Sequence, residues 1–63
     1  MEQWQQDLLD TQVALKERLA KLADFTASEV IDLLGQNEQT LIRKEQAAVA
    51  EYLCVVSARI SYF

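Results

Sequence analysis

A chain of 63 residues with one cysteine, no histidine and a net charge of −4 has room for a single thin domain. One thiol closes no intrachain disulfide, and without histidine there is no Cys/His set to hold zinc. The acidic balance argues against direct DNA binding, which calls for a basic footprint.

With no proline and a single glycine, Gly35, few residues break helices, and the expected fold is all-α. The first helix, about residues 2–25, places Trp4, Leu8, Leu15, Leu19 and Leu22 at helical spacing, with Thr11 and Gln12 on the intervening rung. In the stretch FTASEVIDLLGQNEQ, Ser28 before Glu29 reads as an N-cap of a short helix over about 28–34. Gly35 suits the position just past that helix, and Asn37 then caps a second long helix over about 38–61. Glu38 sits at the positive end of its dipole. Val30, Ile31, Leu33 and Leu34 are expected to fold over the end of the hairpin as a lid.

The second helix repeats the pattern with Ile42, Val49, Leu53, Val56, Ile60 and Phe63, and with Glu45 and Gln46 at the gap. The expectation is one domain, residues 1–63: an antiparallel two-helix hairpin with a short connecting helix, each long helix roughly 35 Å in length. Its register pairs Leu22 with Ile42, Leu15 with Val49, Leu8 with Val56 and Trp4 with Ile60, apolar rung on apolar rung.

One seam does not use all of this apolar surface. In QAAVAEYLCVVSARI, residues 46–60, only Gln46, Glu51, Ser57 and Arg59 interrupt the run, and Leu41, Ala48, Tyr52, Val55 and Tyr62 flank the inward stripe. A helix apolar over most of its circumference must be covered on more than one side. The energetics point the same way. Ordering the chain costs on the order of 80 kcal/mol, against about 75 kcal/mol from burying roughly 3000 Å² of apolar surface. The expectation is a homo-oligomeric helical bundle of coiled-coil type, dimer or higher. Its interface draws on Trp4, Val49, Leu53, Val55, Val56, Ile60, Tyr62 and Phe63, with Ala47, Ala48, Ala50 and Ala58 permitting close approach.

Catalysis is not expected. No Ser or Cys has a base beside it, Cys54 reads as an inert buried thiol, and the carboxylates are spread along the helices, so no metal or cofactor is implied. Two polar groupings stand out. Lys16, Arg18, Lys21, Arg43 and Lys44 gather near the lid end, either as ordinary surface charge beside Glu17, Asp24 and Glu45 or as an anion site. Gln46, Tyr52 and Arg59, with Trp4 and Tyr62 nearer the open end, offer rings to stack a base and a guanidinium to hold a phosphate, or else simply an interface. The candidate ligand-binding residues are Lys21, Arg43, Lys44, Gln46, Tyr52 and Arg59. No segment approaches the ~20 apolar residues of a membrane span. The acidic start MEQWQQDLLD is unlike a signal peptide, so a cytoplasmic protein with a reduced thiol is expected.

The spacing Gln46, Val49, Tyr52, Val56, Arg59 and Ile60, preceded by Leu41 and Ile42, resembles the second helix of a family of very small tailed-phage and prophage proteins related to a small protein of a crAss-like phage. Leu15, Lys16, Glu17, Lys21, Leu22, Phe25 and Ser28 extend the resemblance over the first half. Where this chain has Val49 and Val56, the family often has methionine and leucine. The resemblance implies a phage-encoded accessory protein without enzymatic activity, acting in the infected bacterial host by binding. By analogy with unrelated phage proteins built from helical hairpins, the sharpest expectation is counter-defence: an oligomeric sponge for a nucleotide-derived immune signal, such as a cyclic nucleotide or an ADP-ribose-type molecule. The alternatives are an inhibitor of a host defence protein (a nuclease or CRISPR component) and a structural or scaffolding oligomer.

Overall fold

The computed structural model describes all 63 residues, which form two α-helices packed as a hairpin around one short 3-10 turn. Helix α1 spans Gln3–Ala27, the turn Glu29–Leu33, and helix α2 Gln36–Ile60. The long helices thus lie close to the expected bounds, while the residues between them take different roles from those expected.

At the start of α1, the Gln5 side chain accepts the Glu2 backbone N–H at 2.8 Å, occupying one of the donors that a helix start leaves free. Exposed Gln3–Asp7 and Gln6–Asp10 pairs, at 2.9 and 3.0 Å, then brace the first turns. At the far end, the Ser28 hydroxyl and N–H both donate to the Phe25 carbonyl, at 2.7 and 3.1 Å. Ser28 therefore closes α1, and its side chain makes no capping bond to the turn that follows.

Gly35 is not the left-handed stop expected after the short helix. It is extended (φ −63°, ψ 156°) and serves as the N-cap of α2, its carbonyl accepting the Gln39 N–H at 3.0 Å. Asn37 lies inside the first turn and is not the cap. Gln39 reaches back and ties the start of α2 to the turn, donating from Nε2 to the Leu34 carbonyl at 2.9 Å, and no side chain caps the free N–H groups of the first turn. Glu38 does occupy the first turn of α2 and Arg59 its last, each at the pole of the dipole that suits its charge.

The lid is half as deep as expected. Ile31 is buried and Leu34 half-buried, but Val30 is exposed and Leu33 stands 84% in solvent. A 3-10 turn has three residues per turn, so residues i and i+3 share a face. Ile31 and Leu34 cover the end of the hairpin together, and Val30 and Leu33 necessarily face outward.

Between the helices, Leu8 and Val56 are buried, Val56 to 1% exposure. Thr11, Gln12, Leu15, Leu19 and Leu22 on α1 and Ile42, Glu45, Gln46, Val49, Leu53, Ser57 and Ile60 on α2 are half-buried along the same seam. The buried Leu8 and Val56 fit the expected register, and Arg18 meets Glu45 one residue from it. On the other edge, Gln12 donates to the Ser57 hydroxyl at 3.1 Å. At the open end the Trp4 ring meets Phe63 edge to face, centroids 5.7 Å apart, where Ile60 was the expected partner. Side chains of this length on the seam's margins span more than one rung.

The hairpin is long and lightly covered. It measures 46 × 15 × 14 Å, with a radius of gyration of 14.5 Å, against ~10.6 Å for a compact domain of this length. Its accessible surface is 4715 Å², where a compact monomer of this mass would expose ~4100 Å². Val56→Ala should destabilise the protein by about 2 kcal/mol in urea unfolding, whereas Leu33→Ala should change stability by less than ~0.5 kcal/mol. A larger loss at Leu33 than at Val56 would mean that the lid's outer face is covered.

Candidate functional site

The seam has two edges, and they differ in chemistry. Residues advance by ~100° around a helix, so those flanking the half-buried stripe fall either on the side of the Arg18–Glu45 bridge or on the side of the Gln12–Ser57 bond. On the Arg18 side, α2 presents Leu41, Ala48, Tyr52, Val55, Arg59 and, beyond its last turn, Tyr62, all exposed. From Ala48 onward their spacing alternates four and three, the pattern of a second coiled-coil stripe beside the first. The α1 residues on this side are Asp7, Ala14, Arg18 and Lys21, also exposed. On the Gln12 side lie Lys16, Arg43, Ala50 and the half-buried Gln46, with Cys54 turned towards the back.

The candidate ligand-binding residues therefore divide. Tyr52 and Arg59 share the exposed strip, ~10 Å apart along α2. Lys21 faces the same way from α1, nearer the lid, and Lys44 lies on the strip's outer margin. Arg43 and Gln46 occupy the opposite edge. Arg59 and Lys44 are ~22 Å apart along one helix, so one chain does not bring these cations together. The chain encloses no pocket, and no group of three acidic or cysteine side chains is placed to hold a metal ion.

The charges are open to solvent. Arg18 and Glu45 make the single ion pair, at 2.6 Å, with side chains 61% and 42% exposed, and a pair so placed contributes well under ~1 kcal/mol. Lys16, Lys21, Arg43, Lys44 and Arg59 have no carboxylate within ion-pair distance, so the basic residues near the lid are not tied down by Glu17 or Asp24.

The residues expected at an oligomer interface also divide. Val56 is used up inside the hairpin, and Val49, Leu53 and Ile60 are half-buried in the same seam. Val55, Tyr62, Trp4 and Phe63 keep large exposed surfaces, Tyr62 the largest at 89%. Leu41 and Tyr52 belong with them. The flanking set Leu41, Ala48, Tyr52, Val55 and Tyr62 was separate from the inward stripe in the sequence, but the expected interface drew on both; the four-and-three spacing beginning at Ala48 marks which residues belong to the outer one. Asp7 and Ala14, which complete the face on α1, carried no such signal individually.

Comparison with known proteins returned nothing: no family model, no curated protein and no solved structure matches this chain. No helix is long and apolar enough to cross a membrane.

Cys54 is exposed, contrary to the expectation of a buried thiol. Its apolar neighbours Leu53 and Val56 turn inward, and the helical step carries Cys54 past the stripe they form. A thiol reagent should label it in the native protein as fast as in urea. Protection of that thiol would show that the back of α2, and not the Tyr52 strip, is covered.

Proposed function

We propose that this chain is a non-enzymatic binding module that works as a homo-oligomer and holds its ligand between subunits. The observation that carries this reading is the exposed strip of α2. Leu41, Tyr52, Val55 and Tyr62 stand in solvent on one face of a chain in which only Leu8, Ile31 and Val56 are buried. Exposed apolar residues aligned along a helix mark a contact surface, and a second copy is the partner always present.

The ligand most consistent with this strip is an aromatic anion, and the finer reading is a sponge for a nucleotide-derived signal acting in phage counter-defence. Tyr52 and Arg59 lie on the strip itself, so association through it places a stacking ring and a guanidinium between subunits. Arg59 has no carboxylate partner that a phosphate would have to displace. The resemblance of α2 to small phage proteins supports the biological setting, the cytoplasm of an infected bacterium. Inhibition of a host defence protein would use the same strip, with a foreign surface in place of the second copy.

Titration with a panel of cyclic nucleotides and ADP-ribose derivatives, followed by native mass spectrometry, tests this. The expected result is a ligand-bound oligomer, lost in Arg59→Ala and weakened in Tyr52→Phe without change in oligomer mass. If both variants bind as well as the parent, the site is elsewhere. If both dissociate to monomers, these residues are interface packing and the ligand site fails.

A further inference from the structure

The outer strip of α2 is its inner stripe moved back by one residue. Leu41, Ala48, Tyr52, Val55, Arg59 and Tyr62 each precede a member of the set Ile42, Val49, Leu53, Val56, Ile60 and Phe63. One residue is a turn of ~100° and a rise of ~1.5 Å. A helix turned and shifted by that much would set the outer strip against α1 in place of the inner stripe. At four of the six levels the exchange is apolar for apolar: Leu41 for Ile42, Tyr52 for Leu53, Val55 for Val56 and Tyr62 for Phe63. Apolar character and approximate size are enough to pack a seam, so these four levels do little to decide which stripe faces inward.

The decision falls to the other two levels and to the edges of the seam. Val49 fills more space than Ala48, and Ile60 carries no charge where Arg59 does. On one edge, Gln12 donates to the Ser57 hydroxyl at 3.1 Å. After the turn Val56 would stand in the place of Ser57, and the half-buried Gln12 amide would lose its partner. On the other edge, Arg18 meets Glu45 at 2.6 Å. After the turn Lys44 would stand there instead, like charge against like. The Gln39 side chain would also leave the Leu34 carbonyl. An exposed ion pair adds little to the stability of one state. Exchanging it for a repulsion acts on the difference between two states.

We infer that these contacts are a lock on the rotation of α2. They hold the Tyr52 strip outward, and without them α2 turns by one residue and α1 of the same chain covers the strip. The pivot is the pair Leu34 and Gly35, both extended, between the 3-10 turn and α2. A side chain at Gly35 would meet nothing within 4 Å, so the backbone has room to swing there. The turned state buries Val55 and Tyr52 and draws Arg59 into the seam, which closes the surface that a ligand or a second copy would use. The lock goes beyond that reading of the strip and stands without it, since the covering element is α1.

The test combines Gln12→Leu, Arg18→Glu and Arg59→Leu in one variant. Gln12→Leu suits Val56 as a neighbour, Arg18→Glu repels Glu45 and attracts Lys44, and Arg59→Leu removes the charge that would have to enter the seam. Nuclear Overhauser contacts from the Leu8 methyl groups report which stripe faces α1. In the parent, Leu8 should contact Val56, the most deeply buried residue, and not the exposed Val55. In the variant, contacts from Leu8 to Val55 should replace those to Val56, wholly or in part, with helical circular dichroism retained. Contacts to Val56 alone would overturn the lock, because the stripe would then be chosen elsewhere. Loss of both sets would overturn it too, by showing that the hairpin has no second packing. The readout involves neither a ligand nor a second copy, so its failure leaves the ligand reading to its own titration.

Discussion

The hairpin closes on a seam so narrow that only Leu8, Ile31 and Val56 lose nearly all contact with water. Everything else about the protein follows from that shortage. Two helices of 25 residues each give one another a single stripe to bury, and two parallel cylinders touch along a line, so most of each surface stays wet. A domain of this length buries only ~60% of the surface of its unfolded chain even when compact, and this one is elongated. Its helices cannot be held by helical propensity alone, because isolated helices are marginal in water and most of their stability comes from packing.

The unused surface is not spread at random. The back of each helix is largely polar or small, while Leu41, Tyr52, Val55 and Tyr62 line up on one face of α2. Placing large apolar residues in water there wastes stabilisation that the seam needs, unless something covers them. The same face carries Asp7 and Asp10 towards one end of α1 and Arg18 and Lys21 towards the other, with Arg59 of α2 at the acidic end. Within one chain Arg59 and Lys44 stand ~22 Å apart along α2, so they do not grip one anion together.

Much of this was legible in the sequence. The absence of proline and the spacing of Leu8, Leu15, Leu19 and Leu22 against Val49, Leu53, Val56 and Ile60 suffice for two helices and a hairpin, because helical periodicity is written in the residues that must be buried. The connection was less legible. Serine and glycine each serve at either end of a helix, and residue type did not decide that Ser28 would close α1 or that Gly35 would open α2; those choices depend on which backbone groups lie within reach. The depth of the lid depended on the turn being 3-10, which decides that Ile31 and Leu34 face in together. Cys54 illustrates the limit of reading runs of apolar residues, since one step of ~100° separates a buried position from an exposed one. The candidate site was visible as a set of residue types, but its division between two edges of the seam appears only once the direction of each helix is fixed.

The central claim is that this hairpin depends on a second copy of itself for its stability. Urea unfolding, followed by helical circular dichroism over about a hundredfold range of protein concentration, tests it most directly, because linked association makes stability depend on concentration. The account predicts a midpoint that rises steadily with concentration, in a single transition. A midpoint that stays fixed across the range would show a hairpin that stands alone, and would contradict it.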